Sequence, residues 1–157
     1  MQDKAKDQQY YKDLNDSCFA LMLKKSDRYV SAFFNDHLKN YGLRITQFSV
    51  LIHLATSDTV SLNGLSRRLS MERSTITRGL HALVRDGYAT ITLEVDKGDR
   101  RKKSVAITTE GLKLINKAVR GWEEAQDIVK QSLTEKEIKE LREYLSNLYD
   151  KLIVHRG

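Results

Sequence analysis

The feature that most constrains the fold is a single change of hydrophobic periodicity near residue 88. Before it, apolar residues recur at helical spacing, whereas "YATITLEV" alternates and is rich in β-branched residues, which is typical of a strand. "DKGD" then predicts a turn, and "KKSVAIT" predicts the returning strand. From residue 108 the helical spacing resumes. We therefore expect a mainly α-helical chain with one small β-hairpin.

The N-terminal part of the chain predicts one long helix. Residues 8–40 contain no glycine or proline, and their apolar residues fall on one face. Asn40 and Gly42 are typical of a helix end, so we expect the helix to stop there. A helix of this length overshoots a small domain, and we expect it to pack against something besides its own core.

Capping residues predict where the other helices begin. Serine and threonine favour the position before the first helical turn, because their side-chain oxygen accepts a backbone N–H there. The expected starts are Thr46, Ser61, Ser70 or Met71, Thr108, and Thr134 within the capping box "TEKE". The last helix carries leucines and isoleucines at alternating spacings of three and four, which suits packing against another helix.

Positive charge is concentrated in one quarter of the chain. The net charge is +6, and the stretch from Ser61 to Lys103 holds ten Lys/Arg against five Asp/Glu. Four of these cations, "RRKK", follow the hairpin turn directly. A localised basic block is typical of a polyanion binder, although composition alone leaves DNA, RNA and an anionic membrane open.

Several protein classes are not favoured by this sequence. The single cysteine excludes an intrachain disulfide framework and fits a reducing cytoplasm. The polar N-terminus lacks the apolar segment of a signal peptide, and no apolar run reaches membrane-spanning length. No nucleophile motif, phosphate-binding glycine loop or metal-ligand spacing is found, so we expect neither an enzyme, nor a metal site, nor a cofactor.

The order helix, helix, helix, strand, charged turn, strand predicts a winged helix-turn-helix. In that fold one helix enters the major groove, and the hairpin tip places a cation in or near the minor groove. The helix before the hairpin has suitable side chains off its apolar stripe: Arg73, Ser74, Thr75, Thr77, Arg78 and His81. A solvated helix without a partner is the alternative, and the neighbouring basic hairpin favours DNA.

Three segments carry a resemblance to a known family. "GLRITQFSVL", "SMERSTITRGLHALVRDGY" and "DKGDRRKKSVAITTEG" resemble the MarR family of bacterial transcription regulators. The resemblance implies a homodimer on an inverted repeat, with the N-terminal helix and the last two helices at the dimer interface. It also implies that Arg101 enters the minor groove and that Asp99 orients an arginine. Arg100 and Lys102 complete the expected DNA-binding set.

The resemblance also divides the chain. We expect a single domain over 1–157, with a DNA-binding lobe at 43–109 and a helical dimerisation region at 8–42 and 110–157. Members of the family often bind small aromatic acids between these two parts. Six residues are candidates for such an effector site here: Cys18, Met22, His37, Tyr41, Arg44 and His53.

Cys18 also raises the possibility of redox sensing, because one branch of the family oxidises a cysteine in the first helix. Phe19, Leu21 and Met22 surround it in sequence, so burial in the core is the favoured interpretation. We therefore expect a homodimeric, sequence-specific transcription regulator in the cytoplasm, and favour a repressor released by a small aromatic or anionic effector. The alternatives are a sequence-tolerant architectural DNA-binding protein and a cysteine redox sensor.

Overall fold

The computed structural model describes residues 8–57, 59–95 and 101–154. Within these ranges the fold is mainly helical with a small antiparallel sheet, which confirms the predicted fold class. The elements in chain order are α1 (Gln8–Asp16), α2 (Phe19–Leu38), a 3₁₀ turn (Lys39–Tyr41), α3 (Ile45–Ala55), β1 (Val60–Ser61), α4 (Leu62–Leu69), α5 (Arg73–Arg85), β2 (Ala89–Val95), β3 (Arg101–Ile107), α6 (Thr109–Gln131) and α7 (Glu135–Val154). None of the helices in these ranges combines the length and apolarity needed to cross a bilayer.

The predicted single helix over 8–40 is wrong, because α1 and α2 are separated at Ser17 and Cys18. The Ser17 hydroxyl donates to the carbonyl oxygen of Asp13 at 2.7 Å. Cys18 has extended backbone angles (φ −75°, ψ 104°) and precedes the first turn of α2. A serine that bonds its own backbone offers the chain an alternative to continuing the helix. The break therefore needs neither glycine nor proline.

Three predicted helix starts are confirmed by their hydrogen bonds. The side-chain oxygens of Ser61, Thr108 and Thr134 each accept the backbone N–H three residues further on, at 3.1, 3.0 and 3.2 Å. Glu137 completes the capping box by accepting the Thr134 N–H at 2.7 Å. This bond, and a second one from the Thr134 hydroxyl, hold the pKa of the Glu137 carboxyl below its ordinary value.

The start predicted at Ser70 or Met71 is wrong, because α5 begins at Arg73. Ser70 has a left-handed backbone (φ 50°) and ends α4 instead of opening the next helix. The Met71 N–H then closes the turn on the carbonyl of Ser66 at 3.2 Å. These residues form the tight turn of the helix-turn-helix.

The predicted hairpin is confirmed, and a third strand joins it. β2 and β3 pair in antiparallel register from Ala89 opposite Ile107 to Val95 opposite Arg101. On its other edge β3 pairs with the two residues of β1, which gives the order β1-β3-β2. Two residues are too few to show an alternating pattern, so periodicity could not reveal β1. The extra strand stabilises a hairpin that would be marginal alone.

Both ends of the hairpin meet at one point, which we call the hairpin junction (Gly87, Tyr88, Thr108 and Gly111). The Thr108 hydroxyl donates to the carbonyl of Gly87 at 2.7 Å, and its N–H donates to the carbonyl of Tyr88 at 3.1 Å. A side chain on Gly111 would overlap that same Tyr88 carbonyl oxygen. Glycine therefore lets the start of α6 lie directly against the start of β2.

A single cluster of buried side chains joins the sheet to the helices. Its fully buried members come from α2 through β3 and are Leu38, Leu51, Leu54, Leu65, Ile76, Leu80, Leu83 and Val105. Ile115 and Ala118 of α6 belong to the same cluster. The expected lobe and the flanking helices α2 and α6 thus share one core. The domain boundaries themselves stay a prediction.

The two terminal helices differ from the rest, because neither α1 nor α7 contains a buried residue. Phe19, Leu21 and Met22 at the start of α2 are exposed by 73%, 44% and 54%. Cys18 is exposed as well, so its predicted burial is wrong for the single chain. The other exposed apolar residues of α1, α2 and α7 include Leu14, Tyr29, Val30, Leu141, Tyr144, Leu145, Leu148 and Leu152.

We expect Gly121→Ala to lower the free energy of unfolding by about 1–3 kcal/mol. A Cβ at this buried position of α6 would lie 2.7 Å from both the carbonyl oxygen of His37 and Cε2 of Tyr41. Gly79→Ala is the matched control, because its Cβ would lie 3.9 Å from Gln47 Cγ, and it should raise stability by about 0.4–1 kcal/mol. Urea unfolding at a fixed protein concentration measures both; equal losses would contradict the close approach at Gly121.

Candidate nucleic-acid interface

The exposed face of α5 carries most of the side chains predicted to contact DNA. Ile76, Leu80 and Leu83 bury the opposite face of the helix in the core. Five of the six predicted side chains are exposed, namely Arg73, Ser74, Thr75, Arg78 and His81. Thr77 is half-buried, and its hydroxyl donates to the Arg73 carbonyl at 2.7 Å. The core thus holds α5 firmly while its polar face remains open to a partner.

The sheet lies beside α5, with β2 packed against that helix. In β3 the backbone of Arg101 pairs with Val95, and that of Lys102 pairs with Glu94, so both residues stand at the distal end of the hairpin. Asp99 and Arg100 lie outside the described residues. The DNA-binding roles of these four wing residues therefore stay predictions.

The N-terminus of α3 lies close to α5 and is capped in an unusual way. The helix begins at Ile45 with Arg44 at the capping position, so the predicted cap at Thr46 is wrong. Asn35 of α2 accepts the Ile45 N–H at 2.8 Å, and the Gln47 side chain accepts the Arg44 N–H at 3.0 Å. These two amides do the capping, and the Arg44 side chain remains exposed.

A cleft of about 400 Å³ separates the start of α3 from α5, and we call it the α3–α5 cleft. It is lined by Arg44, Thr46, Gln47, Thr75, Arg78, Gly79 and Ala82. Arg44, a predicted effector residue, is therefore placed with two predicted DNA contacts, Thr75 and Arg78. Neither of the two guanidinium groups forms a salt bridge within the part of the chain that the structure describes.

A second cavity, of about 370 Å³, lies between α3, the end of α4 and α6, and we call it the α3–α6 cavity. Its lining is mainly apolar and consists of Phe48, Ser49, Ile52, His53, Leu69, Val119 and Trp122. The Trp122 and Phe48 rings stack with centroids 6.2 Å apart. Sequence reasoning missed these two aromatic residues because they fit a core pattern, although Trp122 is the chain's only tryptophan.

The six predicted effector residues are not gathered at one place. His53 lines the α3–α6 cavity, with Nδ1 3.1 Å from the carbonyl oxygen of Ser49. His37 and Tyr41 pack around Gly121, while Cys18 and Met22 are exposed at the start of α2. Within the described ranges no group of three or more His, Cys, Asp or Glu could hold a metal ion.

Comparison with known proteins finds similarity to one family of regulators. A model of the MarR family matches residues 41–102. The transcriptional regulator SarZ of Staphylococcus saprophyticus is 29% identical over 94 residues, which span 60% of this chain and 62% of SarZ. The structure of the Mycobacterium tuberculosis regulator MosR in complex with DNA is similar at a TM-score of 0.78 and 26% identity, over 90% of this chain and 100% of MosR. The chain is thus similar to the MarR family over residues 41–102.

Structural similarity to the family extends to more distant proteins. The regulator CouR of Rhodococcus jostii RHA1, bound to p-coumaroyl-CoA, has a TM-score of 0.69 and covers 85% of this chain and 92% of its own. At 24% identity this similarity shows the fold alone. The family match runs from the 3₁₀ turn into β3 and so contains α3, α4, α5 and most of the sheet. The matched relatives are transcription regulators, not enzymes.

We expect Asn35→Ala to lower the free energy of unfolding by about 1 kcal/mol, as loss of a helix cap does. The Asn35 side chain accepts the first N–H of α3 at 2.8 Å. Arg44→Ala is the control at the same helix end, and it should not lower stability, since no hydrogen bond of the Arg44 side chain is lost and a cation is removed from the helix N-terminus. Thermal unfolding followed by circular dichroism compares the two. A larger loss for Arg44→Ala would show that the cap is assigned to the wrong residue.

Proposed function

We propose that this protein is a homodimeric, sequence-specific DNA-binding regulator of transcription of the MarR family. The observation that carries the proposal is the polar, exposed face of α5 beside an antiparallel hairpin, with both held on one core. An α-helix of this kind fits the major groove, and a hairpin beside it reaches the neighbouring minor groove. The similarity to MosR, whose structure contains DNA, supports this arrangement.

The proposed contacts divide into two groups. On α5 the proposed contacts to base edges and phosphates are the exposed residues Arg73, Ser74, Thr75, Arg78 and His81, with Thr77 limited by its bond to the helix backbone. The wing set, which comprises Asp99, Arg100, Arg101 and Lys102, would supply the minor-groove and phosphate contacts. The excess of positive charge between Ser61 and Lys103 supports both groups, because phosphate neutralisation dominates affinity for DNA.

A second copy of this chain is the proposed partner of the terminal helices. The leucine seam of α7 and the apolar residues of α1 and early α2 remain exposed in the single chain. Single exposed apolar residues are common on proteins, whereas contiguous apolar surface of this kind marks an association site. A two-fold dimer would present two α5 helices to an inverted repeat, in the cytoplasm of a bacterium.

The α3–α6 cavity is the proposed effector site of a repressor. Its volume and apolar lining fit a small aromatic molecule, and His53 offers one polar contact for an anionic group. The cavity lies between α6 and the helices α3 and α4 of the DNA-binding lobe. A ligand there would release DNA by favouring a lobe position that does not fit the operator.

A redox response is one alternative, because Cys18 is exposed in the single chain; it requires that the proposed dimer leave this thiol accessible to an oxidant. Peroxide would then weaken DNA binding by the wild type and leave Cys18→Ser unaffected. A second alternative is architectural binding without sequence preference, which the selection experiment below separates from specific regulation.

Selection from a random duplex library at physiological salt is expected to enrich an inverted repeat with half-sites about one helical turn apart. We expect Arg73→Ala to cost about 1–3 kcal/mol on that duplex, as loss of a base contact does, and less on a random duplex. Arg120→Ala is the control, because it removes an equal charge from the exposed face of α6. Tight binding without any enriched repeat would favour the architectural alternative.

Trp122 allows effector binding to be followed directly, because it is the only tryptophan and lines the α3–α6 cavity. An aromatic carboxylate such as salicylate is expected to change its fluorescence in a saturable way and to weaken operator binding. Ile52→Phe should fill the cavity and weaken both effects, while Ile52→Val should retain them. DNA release by the ligand in the filled variant would place the effector site elsewhere.

A further inference from the structure

The residue directly before α3, Arg44, breaks a local rule of helix formation. The position before a helix favours a short oxygen-bearing side chain, and the positive end of the helix dipole favours an anion. Arg44 supplies neither, and its charge lies where a cation is disfavoured. The fold compensates by drawing the caps from Asn35 and Gln47. Residues that are unfavourable for local structure are expected at functional sites, so Arg44 is a candidate for contact with a partner.

The opposite wall of the α3–α5 cleft adds a second cation. Thr75, Arg78, Gly79 and Ala82 are spaced by three, four and seven residues, so they form one stripe along α5 that faces the start of α3. Gly79 and Ala82 have small or no side chains, which leaves room between Arg44 and Arg78. The hydroxyls of Thr46 and Thr75 line the same space, and neither makes a hydrogen bond within the described ranges.

This combination matches a phosphate in both charge and hydrogen bonding. The guanidinium groups of Arg44 and Arg78 have no counter-ion among the described residues. An anion bound between them would offset the repulsion between their like charges. Guanidinium groups and threonine hydroxyls are common donors to phosphate oxygens, and a helix N-terminus adds a favourable dipole.

We propose that the α3–α5 cleft clamps one backbone phosphate of the DNA next to the bases that α5 reads. Arg44 and Thr46 hold it from α3, and Thr75 and Arg78 hold it from α5. The inference rests on the proposed DNA-binding function and deepens it, because it assigns Arg44 to the DNA interface and not to effector binding. Arg44 fixes the position of α5 on the duplex and carries no sequence information itself.

The test compares binding of Arg44→Ala and wild type to the selected inverted repeat and to a random duplex, by fluorescence anisotropy at several salt concentrations. Loss of a charge-assisted bond should weaken binding to both duplexes by about tenfold or more. The slope of log affinity against log salt should fall by about 0.9 for each cleft, or about 1.8 for the dimer. The ratio between the two duplexes should stay unchanged.

Two further variants guard the interpretation. Arg44→Lys keeps the charge and should keep the salt slope, even if affinity falls because the two-pronged contact is lost. Arg120→Ala removes one charge from α6 and should change neither slope nor ratio. Circular dichroism checks that Arg44→Ala is folded, and Arg44→Lys provides the comparison if it is not.

Each outcome separates the inference from the function on which it rests. Wild-type affinity and slope in Arg44→Ala, with weakened binding in Arg73→Ala, would overturn the phosphate clamp and leave the DNA-binding proposal standing. Loss of affinity for the inverted repeat alone would also overturn it, since Arg44 would then read bases. If the wild type binds neither duplex, the proposed function fails, and the clamp fails with it.

Discussion

The hairpin junction is the constraint on which the rest of the architecture depends. Thr108 binds the carbonyls of Gly87 and Tyr88, and the absence of a side chain on Gly111 brings α6 against the same strand. Four elements meet there: the end of α5, the start of β2, the end of β3 and the start of α6. Because α5 and the hairpin leave from one fixed point, their relative position is set by the backbone rather than by side chains at the DNA surface.

From that junction α6 connects the lobe that contains α3 through β3 with the rest of the molecule. Apart from Ile115, its buried residues are glycines and alanines, and α2 and the 3₁₀ turn approach it closely at Gly121. Two of its partly buried residues, Val119 and Trp122, line the α3–α6 cavity together with Leu69 at the end of α4. The cavity is therefore lined by α6, which joins the lobe to the rest of the molecule, and by α4, which precedes the turn into α5. A ligand that altered the spacing of these two helices would act on the lobe through a short path.

A further contact reaches the same turn from the far end of the chain. The Tyr149 hydroxyl of α7 lies 2.9 Å from the hydroxyl of Ser70, the residue with the left-handed backbone between α4 and α5. Without this bond, α7 would touch the lobe very little. The terminal helix and the helix-turn-helix are thus linked at one polar contact, next to a wall of the cavity.

Local signals in the sequence were sufficient for much of the fold. Ser61, Thr108 and Thr134 were identified as caps because the hydrogen bond of a cap spans only three residues. The hairpin was identified because its strands alternate. The cap of α3 was missed because Asn35 supplies it from another helix, and β1 was missed because its pairing with β3 is distant in sequence. The polar residues of α5 could be named from their spacing, whereas the placement of Arg44 beside Arg78 depends on how α3 and α5 pack.

The predicted burial of Cys18 and its neighbours failed for a different reason. Apolar periodicity shows that a face is buried, but it does not show which chain buries it. The lobe, α2 and α6 have a core of their own, while α1 and α7 have none. These helices gain little from folding onto their own chain. In the proposed homodimer, association would supply the free energy that orders them, and the spacing of the two lobes would then depend on protein concentration.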